Sequence, residues 1–259
     1  MEVTQANLDI IFRSANLTFQ EAFTNAPTWY NSVATTLNVG GSSVTYGWMD
    51  RLPVMRKWLG NRQINAVSTL SKTVIHDQWE QTFGLRKTDV ADDQIGLFSA
   101  GVRMQAAAVA KWPDQQFAAL FGRLADPTYL GYDGVSPIAN NHPLLGGVAG
   151  VPSGVTQSNL FVNTALSYAN YITVRTAMMS LNGSDGQPLG IMPNLLVVPP
   201  QLEGTGKLIL ESDFLAQFAS TATSNAAQTN VYKGTAKLLV VPQLANKPGN
   251  WWLLDTTQV

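Results

Sequence analysis

The chain contains no cysteine, which rules out disulfides and thiolate metal sites and leaves the redox compartment open. Histidine is almost missing: His76 and His142 are the two copies. Neither stands in an H-x-x-x-H or H-E-x-x-H spacing, so a helix-borne zinc site has no ligand pair. Charge is scarce as well. Asp, Glu, Lys and Arg make up 13% of the 259 residues, against about 25% in a typical soluble domain. The net charge is −1 with no run of Lys or Arg, so a sequence-independent grip on DNA phosphates is not expected. No apolar run approaches the ~20 residues that cross a bilayer. The opening MEVTQANLDIIFRS lacks a basic segment followed by an apolar one, so no signal peptide and no membrane partner are expected.

Catalytic motifs are missing in the same way. LEGTGKL at 202–208 invites a phosphate-loop reading, but Gln201 stands where the first glycine belongs and Leu208 where a hydroxyl must reach magnesium. No G-x-S-x-G elbow exists. Gly146, Gly147 and Gly150 lack the dinucleotide order. Asp92 and Asp93 suit the N-terminus of the following helix better than a cation. These gaps lead to no expected catalytic residue, no cofactor and no metal site.

What is present is a normal apolar fraction, 45%, enough for a substantial core. Together with so few charges, it implies that much of the surface is covered by other subunits rather than by water. An enzyme with a Ser/Thr/Asn/Gln-rich exterior is the alternative.

Along the chain, the first segment to about Ser43 reads as an arm. Thr18 and Glu21 have capping-box spacing and predict a short helix from there, and Gly40 to Ser43 a flexible joint. Tyr46 to Arg62 packs two tryptophans, two methionines and four basic residues around Pro53, the composition of contact surfaces. Residues 66–87 predict a β-hairpin with Val67, Thr69, Thr73 and Ile75 on one arm, Trp79, Phe83 and Leu85 on the other, and a turn near His76 and Asp77. Residues 94–125 predict a long helix broken and restarted at Pro113. Residues 126–163 predict ordered loops with short strands. Ser167 caps a predicted helix running to about Leu181, with Gly183 as its stop. Leu195 to Val198 predict a fully covered strand, and Pro200 a helix start reaching Glu211. Residues 212–228, rich in Ser, Thr, Ala and Asn, predict a mobile loop, and Ala236 to Val241 and Trp251 to Leu254 two more strands.

Several blocks resemble the major head subunit of Mu-like tailed phages, the gpT family. They include APTWY at 26–30, YGWMDRLPVMRKWLGNR at 46–62, DDQIG at 92–96, YDG at 132–134 and NNHP at 140–143. QSNL at 157–160, DGQPLGIMPNLLVVPPQLE at 185–203, TNVYKG at 229–234, LLVVPQL at 238–244 and WWLLDT at 251–256 follow in order. The resemblance implies an α+β chain of the Hong Kong 97-type capsid fold. Its expected parts are an N-terminal arm (1–45), an extended loop with a β-hairpin (46–90) and a peripheral domain with a long spine helix (91–129). An axial domain (130–245) and a C-terminal strand returning to the peripheral domain (246–259) complete it. Family members continue beyond the WWLLDT block, so this chain is expected to be a shorter relative, a fragment or one completed by another subunit.

The implied function is structural: a subunit of a tailed-phage or prophage-derived icosahedral capsid, assembling into hexamers and pentamers around DNA held without sequence-specific binding. It implies no enzyme, a place in the virion, and synthesis in the host bacterial cytoplasm. Scaffold, portal and decoration proteins are further expected partners. Trp48, Arg51, Arg56, Trp58, Arg62, Trp79 and Arg86 are the expected subunit contacts. Two readings compete. One is a hydrolase with a loop-built site around Asp133, Asn141 and His142, where His142 otherwise reads as a loop residue bonding backbone. The other is a nanocompartment shell or minor virion protein.

Overall fold

The computed structural model describes residues 5–49, 69–82, 84, 97–144, 154–183, 187–216 and 227–257. They fall into two compact units: one from residues 1–38 and 76–119, the other from 39–75 and 120–259.

The first unit is helical. Helix α1 spans Gln5–Asn25 and helix α2 spans Leu97–Ala110, and the two pack against each other. The α1 residues Ile11, Ala15, Thr18, Phe19 and Ala22 are partly covered, at spacings of three and four that make one helix stripe. Val102, Ala106 and Ala110 of α2 are buried. The expected helix start at Thr18 is corrected here. The stripe runs through Thr18 without a break, so its capping-box spacing marks nothing, and the helix ends before Pro27. Helix α3, Trp112–Phe121, follows α2 after Lys111. Pro113 lies in its first turn as expected, where a missing N–H is tolerated. Asp114, 2% exposed, accepts the backbone N–H groups of Trp29 and Tyr30 at 3.1 and 2.9 Å. It fixes the 3-10 turn Tyr30–Ser32, and the Tyr30 ring stacks on Phe117.

The second unit is built on a three-stranded sheet. Strand β5, Leu195–Val198, lies between β8, Lys237–Val240, which is parallel to it, and β9, Trp252–Leu254, which is antiparallel. All four β5 residues are buried, because both faces of the strand are covered; a covered strand reads as a continuous apolar run. On one face Leu196 and Val198 join Leu166, Tyr171, Ile209, Leu210 and Ala236 in the core. They pack beneath α4, Tyr168–Met179, and α5, Glu203–Leu210. On the other face Trp252, register partner of Val197, meets Phe121 at the end of α3 with ring centroids 5.2 Å apart.

Local signals explain most of these elements. Ser167 caps α4, its side chain accepting the Asn170 N–H. The helix stops at Ser180 rather than at Gly183, the Ser180 N–H turning back to Thr176 and Ala177. Pro200 opens the 3-10 turn Pro200–Leu202 that leads into α5. Gly206 of that helix is a packing glycine. A Cβ there would come within 2.6 Å of Leu238 Cδ1, so this glycine of LEGTGKL serves helix–sheet contact. The described residues of this stretch, 126–144 and 154–163, are loops and turns with two two-residue strands, β3 His142–Pro143 and β4 Thr156–Gln157.

Two expectations are corrected. Among the described residues, β2, Thr69–Ile75, does not pair with 79–82. It pairs antiparallel with β1, Ser43–Met49, from Ser43 opposite Ile75 to Met49 opposite Thr69. Residues 76–82 carry no regular structure, and Phe83 and Leu85 lie outside the described residues. Residues 212–228 are not irregular throughout: β6, Phe214–Ala216, pairs antiparallel with β7, Ala227–Thr229.

Candidate functional site

Two places could carry function: the polar cluster around His142, and the surfaces expected to meet other subunits.

The cluster forms where three separate loop stretches converge. His142 Nδ1 lies 2.6 Å from Asp133 Oδ2, and its Nε2 lies 3.1 Å from Asn159 Oδ1. The orientation of Asn159 is fixed by backbone. Its Oδ1 accepts the Ala139 N–H at 2.8 Å and its Nδ2 donates to Pro137 O at 2.8 Å. A backbone N–H only donates and a carbonyl only accepts, so the amide cannot be turned over. Both imidazole nitrogens therefore face side-chain oxygens. Asp133 Oδ1 also accepts the Val135 N–H. The nearby Gln157 amide bonds both backbone groups of Asn182, tying β4 to the turn after α4.

The residues named for a hydrolase site are thus only partly united. Asp133 and His142 meet, while Asn141 is exposed and Asn159, absent from the expected set, takes the second imidazole nitrogen. The expectation that His142 bonds backbone is corrected: its partners are side chains. Since Nε2 is held by an amide oxygen rather than by a hydroxyl or thiol, the group has the form of a clasp between loops. Asn159 lay within reach of sequence reading, because YDG, NNHP and QSNL contain all three members.

The contact candidates fare unequally. Trp48 lies in β1 opposite Leu70. Trp79 is 65% exposed, its ring tilted on Trp112 at 4.9 Å. Arg51, Arg56, Trp58, Arg62 and Arg86 lie outside the described residues. Other apolar side chains reach solvent in the first unit, with Phe12, Leu17 and Met104 each more than two-thirds exposed. Tyr46, Val74 and Ile75 do so on the β1–β2 hairpin. Among the described residues no group of three or more His, Asp and Glu gathers as metal ligands. No described helix is long and apolar enough to cross a membrane.

Comparison with known proteins gives this arrangement a setting. The family model described as Mu-like prophage major head subunit gpT matches residues 8–165 and 147–244. The major capsid protein of Escherichia phage Mu is 29% identical over 168 residues, 64% of this chain and 54% of that protein. The Mu-like prophage FluMu major head subunit of Haemophilus influenzae is 25% identical over 169 residues, 61% of this chain and 54% of that protein. The chain spans about half the length of these curated relatives. Among solved structures, a chain of the bacteriophage JBD30 procapsid superposes with TM-score 0.69 at 23% identity. That match covers 93% of this chain and all of the other. A chain of the JBD30 capsid gives 0.68, over 94% of this chain and all of the other. The mixed helix-and-sheet fold is therefore that of phage capsid subunits.

Proposed function

The chain belongs to the Mu-like prophage major head subunit gpT family, and on that premise we propose that it is a structural subunit of a tailed-phage or prophage-derived icosahedral capsid. Copies assemble into hexamers and pentamers that enclose DNA, and the protein resides in the virion after synthesis in the host bacterial cytoplasm. The observation that carries this reading is the likeness to the JBD30 procapsid chain over 93% of this chain and the whole of the other. The scarcity of charge, 13%, fits a surface that other subunits cover.

On this reading the parts follow the Hong Kong 97 plan. Residues 1–45 form the arm, 46–90 the extended loop, 91–129 the spine, 130–245 the axial domain and 246–259 the returning strand. The long-range β1–β2 hairpin is the core of the extended loop, and α2 with α3 forms the spine. Strand β9 suits a returning element, because it bonds β5 through backbone and meets Phe121 of α3 through Trp252. Apolar burial supplies the attraction between copies, and charged residues such as Arg51, Arg56, Arg62 and Arg86 set partner choice and register, beside Trp48, Trp58 and Trp79. The His142 clasp is structural in this scheme. A JBD30 capsid carries minor capsid protein trimers, so decoration proteins are proposed partners here, with scaffold and portal proteins.

Electron micrographs of the purified protein, read beside light scattering, provide the test. Rings or closed shells are expected; a strictly monomeric species at high concentration contradicts the reading.

A further inference from the structure

Most residues of the β1–β2 hairpin whose burial is described are exposed. Ser43, Thr45, Tyr46, Gly47, Ser71, Thr73, Val74 and Ile75 are all exposed, while Lys72 and Val44 are partly covered. Two strands alone are marginal in water, and side-chain pairs such as Thr45 with Thr73 hold the strands to each other, not to the rest of the unit.

Lys72 makes that outward link. Its Nζ donates to Leu130 O and stands 5.0 Å from the centroid of the Tyr129 ring. Arg123 Cζ lies 5.7 Å from the same centroid, so two cations address one aromatic face system. Tyr129 is itself rigidly placed. Thr128 donates to Asp126 Oδ1 from its N–H and its hydroxyl, at 2.8 and 2.7 Å. The Tyr129 N–H donates to Asp126 O, the Asp126 N–H to Arg123 O, and the Arg123 N–H to Leu120 O. An unbroken series of turn bonds thus runs from the last turn of α3 to the ring that Lys72 touches.

We propose that Lys72 is the pin through which the hairpin takes its direction from the end of α3, presenting the hairpin to a neighbouring copy at a fixed angle. Lys72 is a positioning residue: a charged hydrogen bond and a cation–π contact are both directional, and a hairpin held by them keeps one orientation. The purpose assigned to that orientation rests on the capsid reading; the pin itself does not.

Hydrogen–deuterium exchange on the full chain, in whatever assembly state the wild type adopts, tests the pin. Lys72→Met keeps the aliphatic stem and removes the donor and the charge. Amides of 43–49 and 69–75 are expected to exchange about five- to tenfold faster in it, with β5 unchanged, as local opening becomes easier. Lys72→Arg restores much of the protection, and Tyr129→Leu with Lys72 kept gives a partial loss. Unchanged exchange in the hairpin overturns the proposal, and so does an equal acceleration in β5, β8 and β9, which marks general destabilisation. Should Lys72→Met fail to fold, Tyr129→Leu decides on the same criterion. Micrographs separate the two readings. A faster-exchanging hairpin in a chain whose wild type never forms rings upholds the pin and removes its purpose. Unchanged exchange in a chain that does form shells removes the pin alone.

Discussion

Single residues of α5 and its surroundings show how differently one residue type can be used. Gly204 and Gly206 are two positions apart in the same helix. A Cβ on Gly204 meets nothing within 4 Å, whereas one on Gly206 meets Leu238 Cδ1 at 2.6 Å and Cδ2 at 3.3 Å. Gly204→Ala is expected to stabilise the protein by about 0.5–1 kcal/mol through helix propensity and unfolded-state entropy. Gly206→Ala is expected to cost about 1–2 kcal/mol, because the forced shift of a packed leucine outweighs the same gain. Urea midpoints measured on the two variants should therefore move in opposite directions; movement together would contradict the packing role. Asn230, 6% exposed, is the buried polar anchor of this region. Its Nδ2 donates to Ile209 O and Ser212 O, and its Oδ1 accepts the Tyr232 N–H. Asn230→Ala leaves those backbone groups without partners and should cost roughly 2–4 kcal/mol, read from the same titrations.

Elements add behaviour that no residue has alone. Strand β9 is tied to the chain before β5 by Asp255, which accepts the Met192 N–H at 2.8 Å and both the N–H and hydroxyl of Thr257. Burial pushes this carboxyl up, but the bonds from Thr257 and Met192 outweigh it and hold the group below its ordinary 3.8. A depressed carboxyl contributes stability that is present above the unfolded value and lost as pH falls through the folded one. Melting temperature should therefore drop more steeply below about pH 4 in the wild type than in Asp255→Asn; parallel profiles would exclude the tie. How far such elements can be read from sequence depends on what covers them. β5 is legible because burial of all four residues leaves an uninterrupted apolar run between Asn194 and Pro199, while β8 and β9 are less covered but still carry short apolar runs. The β1–β2 pairing is not, since the alternation at Trp79, Phe83 and Leu85 offers a nearer arm in sequence, while the arm that pairs lies before a 19-residue interval. In α1 a local start signal at Thr18 is overridden by the packing stripe against α2. His142 is legible as part of a loop-rich stretch with short strands, but its partner Asn159 lies 17 residues away, and the meeting of β3 with β4 brings them together.

At the scale of the whole molecule, large apolar side chains such as Trp79 stand mostly exposed in a single copy. Trp79→Ala should abolish or sharply reduce ring and shell formation while costing folding only about 1 kcal/mol, since the tryptophan is mostly exposed and loses chiefly its contact with Trp112. Sedimentation beside thermal melting separates the two effects, and a variant that assembles normally would remove Trp79 from the contact set. The sheet order carries one more consequence, for the newborn polypeptide. β5 leaves the ribosome well before either of its neighbours, which begin at Lys237 and Trp252. Until those late segments emerge, the greasiest strand of the second unit has no backbone partners and its unpaired edges are open to aggregation. Translation thus imposes its own timetable: the second unit cannot close around β5 until the segments from Lys237 and from Trp252 have been made.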